Sequence, residues 1–191
     1  GYEGKELLES SKDFRWPNAP GAKGKAVDLS HPLLQPGLGL LVTLLLDPRR
    51  EFEWIAALNL RHRLLIGYRF RRQDFPWMAI WEENKARAEA PWSGKTQARG
   101  LEFGSTPFPV GKLEAFSRGS LFGTPSFSVV PALGRKSVSY VAFLTQVPAN
   151  FAKVSDIRAG ASEILVAGST QQGKTLTVRV PATGLAAAGL A

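Results

Sequence analysis

Residues 75–111, FPWMAIWEENKARAEAPWSGKTQARGLEFGSTPFPVG, hold the densest grouping of side chains able to do chemistry: Trp77, Trp81 and Trp92, three of the five tryptophans, beside Glu82, Glu83 and Glu102. Indoles beside carboxylates suit a sugar, whose apolar C–H face stacks on a ring while its hydroxyl edge takes hydrogen bonds. Any one of these tryptophans is as readily a core residue. Their recurrence with Pro and Gly in turn-like sequence sets the group apart. Gln97, Arg99 and Glu82 are further candidates for hydroxyl ligands. Gln97 and Arg99 share strand parity with each other but not with Glu102, so a regular strand points them away from it unless a bulge intervenes. A glycosidase would need two carboxylates about 5 to 9 Å apart. Glu82 and Glu83 are adjacent, so only one of them could face Glu102.

Other patterns point away from well-known catalytic devices. GSTQQGKT at 168–175 reads G-x-x-x-x-G-K-T, the phosphate-binding loop of nucleotide hydrolases. Such a loop opens a helix at its Lys-Thr. Here TLTVRVPA follows, with Leu176, Val178 and Val180 alternating against Thr175, Thr177 and Arg179, which predicts a strand and makes the loop a hairpin turn. His31 and His62 are 31 residues apart and lack metal-ligand spacing. There is no G-x-S-x-G nucleophile elbow and no cysteine. No cofactor and no metal are expected.

The elements that must position these residues are strands. Strand-like segments recur at about 38–46, 51–59, 62–71, 76–82, 96–103, 126–132, 136–147, 161–167 and 174–181, separated by turn signals such as Asp47-Pro48 and Leu133-Gly134-Arg135. EENKARAEA at 82–90 is the one helical candidate, with good helix formers but little apolar stripe. Residues 1–36, with Pro17, Pro20, Pro32 and Pro36, read as a loop-rich arm. Many short strands with sparse helix predict an all-β chain, a β-sandwich, and 191 residues fit a single domain over 1–191.

Charge and hydropathy bound the partners. The longest apolar run, LGLLVTLLL at 38–46, is too short to span a bilayer, and no membrane partner is expected. The net charge of +8 raises the question of nucleic acid, with basic residues densest in RHRLLIGYRFRR at 61–72. Arg69 and Arg71 would share one strand face, as in a phosphate-binding stripe or the charged face of an edge strand. No zinc-finger, helix-turn-helix or RNP pattern accompanies them, so no nucleic-acid partner is expected. The absence of cysteine leaves the compartment open.

GLEFGSTPFP at 100–109, following FPWMAIWEE and APWSGKTQAR, resembles the later part of the galactose mutarotase-like (aldose 1-epimerase) superfamily, in which a Trp-rich strand precedes Pro-Trp and then a strand with a glutamate near its end. The resemblance implies a β-supersandwich that binds a sugar and interconverts its anomers, with Glu102 at the position of the general base. It also implies a histidine as general acid. His31, in SHPLL, shares only His-Pro with the motif that carries the acid in that family, and His62 lies in no motif. The expected function is therefore carbohydrate binding with epimerase chemistry by Glu102 and His31, and Trp77, Trp81 and Trp92 as platform or pocket wall. The alternative is a non-catalytic carbohydrate-binding or structural sandwich.

Overall fold

Alternating apolar side chains become antiparallel strands throughout the computed structural model, which describes residues 7–107 and 109–191. In chain order these are β1 (Asn18–Pro20), β2 (Ala26–Asp28), β3 (Leu38–Leu45), β4 (Phe52–Asn59), β5 (Leu64–Arg71), β6 (Trp77–Asn84), β7 (Gln97–Gly104), α1 (Lys112–Arg118), β8 (Ser120–Leu121), β9 (Thr124–Pro125), β10 (Tyr140–Gln146), β11 (Phe151–Ala159), β12 (Glu163–Thr170) and β13 (Thr175–Pro181). The fold class is all-β, with α1 the only α-helix among the described residues. No helix among them is long and apolar enough to cross a membrane.

The chain forms two compact units: the residues up to Leu45 together with Trp77–Phe127, and Leu46–Pro76 together with Ser128–Ala191. The first unit is built on a three-stranded sheet in the order β3-β6-β7. Its register is unbroken, pairing Leu41 with Trp81 and Trp81 with Gly100. Leu40, Val42 and Ile80 fill one face and bury Ala19 and Leu29 of the β1–β2 region.

The second unit is a small β-sandwich. Its sheets, β10-β5-β4 and β11-β12-β13, enclose a core of Leu65, Phe143, Phe151, Ile157, Ile164 and Val166. Two strand glycines make this packing possible. A Cβ on Gly67 would stand 2.4 Å from the Phe143 ring, and one on Gly168 would stand 2.3 Å from that of Phe151. Asp156 ties β4 to β11 by accepting from Trp54 Nε1 at 3.1 Å and Arg50 at 3.2 Å.

Several expectations change here. Residues 168–175 form the β12–β13 hairpin, in which Gly173 (φ 81°) donates to the Thr170 carbonyl at 3.0 Å, as the alternation after Lys174 predicts. The helix over 82–90 does not form. Strand β6 runs to Asn84, and the Glu83 carboxylate then takes the amides of Ala86 and Arg87 at 2.6 and 3.0 Å, fixing a turn. Residues 126–132 contain no strand; Gly134 donates to Pro131 across a turn in an exposed loop. The basic strand β5 is central, so the edge-strand reading of Arg69 and Arg71 fails. Arg69 lies 3.9 Å over the Phe52 ring and donates to the Leu190 carbonyl, while Arg71 donates to the Gly189 carbonyl at 2.9 Å and to Glu51 at 2.8 Å.

Candidate sugar-binding face

The sheet of the first unit has one face in the core, and strand parity decides which side chains the other face receives. Ala79, Trp81 and Glu83 of β6 share that face with Ala98, Gly100 and Glu102 of β7 and with Leu41 and Thr43 of β3. Much of it is open: Leu41 is 44% exposed and Glu102 is exposed. Trp81 and Trp92 are half-buried and pack on each other with ring centroids 5.4 Å apart.

The turn after β6 holds Trp92 in place. Glu83 fixes its start, Lys85 donates to Thr96 at 2.8 Å across its base, and Gly94 (φ 64°) donates to the Arg87 carbonyl at 2.8 Å. Arg87 lies 5.2 Å from the Trp92 ring and 5.9 Å from the Trp81 ring, with its Nε 3.6 Å from a Glu83 oxygen. Opposite Trp81, Gly100 provides a floor without a side chain. A Cβ there would meet both the Trp81 ring and Glu102 Oε1 at 3.4 Å. The face therefore offers a paired indole wall, a glycine floor, a solvent-facing carboxylate and a guanidinium.

The other expected site residues lie elsewhere. Trp77 is 1% exposed and donates from Nε1 to the Pro125 carbonyl at 3.0 Å, which makes it a core residue. Glu82 and Arg99 face the core side, paired across strands with Glu82 Oε1 3.0 Å from Arg99 Nε. Glu82 also accepts from Leu33 N–H at 3.2 Å, and Arg99 donates to the Leu29 carbonyl at 2.5 Å. Burial pushes the Arg99 guanidinium below its ordinary pKa, against the attraction of Glu82. Gln97 has the parity of Arg99, and with no bulge between β6 and β7 it does not join Glu102.

His31 is exposed in the segment from Leu29 to Leu33, whose backbone bonds Arg99 and Glu82 on the core-side face. Glu102 is on the reverse face, so the sheet separates the expected base from the expected acid. His62 belongs to the second unit, in the exposed β4–β5 turn, where its amide bonds Asn59 at 2.9 Å. Among the described residues no three of His, Asp or Glu converge as metal ligands would. Phe108, in the GLEFGSTPFP segment, lies outside the described residues.

Arg87 and Gly100 were not expected at the site. The helical reading of 82–90 hid Arg87. Gly100 gains its meaning only from its cross-strand pairing with Trp81. No protein-family model, no curated protein and no solved structure matches this chain.

Proposed function

We propose that this protein binds carbohydrate on the open face of the β3-β6-β7 sheet, without catalysis by a Glu102–His31 pair. The observation that carries this reading is the half-buried Trp81–Trp92 pair beside the exposed Glu102 carboxylate, with only Gly100 between Trp81 and Glu102. A pyranose ring stacked on the indoles would direct hydroxyls toward Glu102 and Arg87, both charged groups able to make strong hydrogen bonds. Anomer interconversion requires a base and an acid that reach the same sugar ring. With His31 on the other side of the sheet, binding is the better-supported role for Glu102.

Calorimetric titration against mono- and oligosaccharides tests the reading. Binding should weaken about tenfold in Trp81→Ala and in Trp92→Ala, as expected when stacking area is lost. Gly100→Val should block the same ligand by filling the floor. Affinity unchanged by all three substitutions would sink the proposal. Polarimetry with freshly dissolved α-D-glucose and α-D-galactose covers the enzymatic reading: an acceleration abolished by Glu102→Gln would restore Glu102 as a catalytic base, with an acid other than His31.

A further inference from the structure

Antiparallel sheets that pack one face on a core ordinarily turn polar side chains outward on the other. The β10-β5-β4 sheet does so poorly. Its outer face carries the in-register row Leu144, Ile66 and Ala57, followed by Gln146, Leu64 and Asn59. Leu144 is 66% exposed, Ile66 38% and Leu64 36%, and Leu60 in the adjoining β4–β5 turn is 55% exposed. At the opposite end the chain covers much of this face itself. Phe70 is fully buried with Phe75 edge-on at 5.7 Å, and the Glu53 carboxylate is buried against the Asp47 amide. The exposed aliphatic side chains of this face thus gather at the end that carries the turn, while at the opposite end Tyr140 is the exposed ring.

The charge around that end is one-sided. The turn presents Arg61, His62 and Arg63, all exposed. No Asp or Glu occurs between Glu53 and Asp74 or between Glu114 and Asp156, which leaves nearly the whole β4–β5 hairpin and all of β10 free of acid. The second unit holds 13 Lys and Arg against 6 Asp and Glu, whereas the first holds 11 against 10. Almost all of the net +8 therefore belongs to the unit with the bare apolar end.

We propose that this end of the second unit docks on an anionic lipid surface, with Leu60, Leu64, Ile66 and Leu144 entering the boundary between headgroups and acyl chains and Arg61 and Arg63 meeting lipid phosphates. Aliphatic side chains beside the two guanidiniums of the turn match that boundary, since affinity there grows with buried apolar area and with attraction to anionic headgroups. A second copy would bring like charge against like. Nucleic acid would call for aromatic stacking platforms, which this aliphatic end lacks. Surface attachment of this kind needs no spanning segment, and it departs from the sequence-based expectation of no membrane partner.

Co-sedimentation of the full chain with phosphatidylcholine vesicles, with and without phosphatidylglycerol, tests this. The protein should pellet with the anionic vesicles and be released by salt. Arg61→Gln with Arg63→Gln should weaken partitioning by about tenfold or more. Leu60→Ser with Leu144→Ser should abolish it at unchanged charge, with a thermal melt confirming that these exposed substitutions leave the fold intact. Absence of binding to either vesicle would overturn the proposal. So would binding that survives loss of both leucines, which is adsorption by charge alone. Dimerisation in analytical ultracentrifugation that Leu144→Ser removes would instead assign the face to a second copy.

Discussion

Glu82 and Glu83 are neighbours in sequence and both are closed to solvent, but they are satisfied in different ways. Glu83 accepts the amides of Ala86 and Arg87 and so shapes the turn that carries Trp92. Glu82 accepts from the Leu33 amide and the Asn84 side chain, and its charge is balanced by Arg99, which is itself largely buried. Removing one member of a buried pair leaves the other charge desolvated, at a cost of about 3–5 kcal/mol. Arg99→Met should therefore lower stability by roughly that amount in urea denaturation, and adding Glu82→Gln should recover much of the loss. Equal, additive losses in the two single variants would show that the pair is not coupled. Glu53 makes a pH-dependent case. Burial raises its carboxyl pKa above the ordinary 4.5, while Arg50 at 3.4 Å and the Asp47 amide at 3.2 Å oppose the shift. The folded protein thus holds this proton to higher pH than the unfolded chain does. The associated stability is complete below the ordinary carboxyl range and is lost as pH rises through the raised value. In thermal melts, Glu53→Gln should gain on the wild type as pH rises from the ordinary carboxyl range through the raised value. A difference that stays constant with pH would refute the assignment.

Strands were readable wherever one face is buried and the period of two survives, as in β3, β4, β6 and β13, which lie within a residue or two of the segments expected from alternation. Strand β11 escaped because two register shifts, between Phe151 and Lys153 and between Val154 and Asp156, space its apolar residues Phe151, Val154 and Ile157 three apart. That spacing hides a strand from any search for alternation. Residues 82–90 misled in the opposite direction: their helix-forming composition lost to the β6 ladder and to the Glu83 turn. At the site, parity correctly separated Gln97 and Arg99 from Glu102. The burial of Trp77 and the position of His31 depended on long-range packing that spacing does not encode. The glycines of the second unit make a prediction at this scale. Gly67 and Phe143 are direct cross-strand partners, so a methyl group at position 67 collides with the ring. Gly67→Ala should cost about 1–3 kcal/mol by overpacking. In combination with Phe143→Leu the penalty should fall, giving a coupling energy measurable in a double-mutant cycle. Strict additivity would mean that the strand shifts to make room.

Division into two units was not legible in the sequence, which predicts one domain by length and shows no linker. The reason is topological: the β4–β5 hairpin, with its flanking turns, is inserted between β3 and β6, and the Asp47-Pro48 turn at its start reads like the other turns that separate strands within one domain. Yet the insertion leaves a clean junction. Leu45 and Trp77, the last and first residues of the first unit on either side of it, are direct antiparallel partners. A two-residue Asn-Gly turn is the geometry that joins such partners, because its twist matches that of the paired strands. A chain in which Asn-Gly replaces residues 46–76 and which ends at Phe127 should therefore keep the β3-β6-β7 sheet, the Leu40, Val42 and Ile80 core and the open Trp81 face. It should unfold cooperatively in urea and, where the sugar reading holds, bind the same saccharide as the full chain. A shortened protein that stays unfolded would show that the first unit draws its stability from the rest of the chain. In that event the two units are to be treated as one cooperative body in interpreting every substitution above.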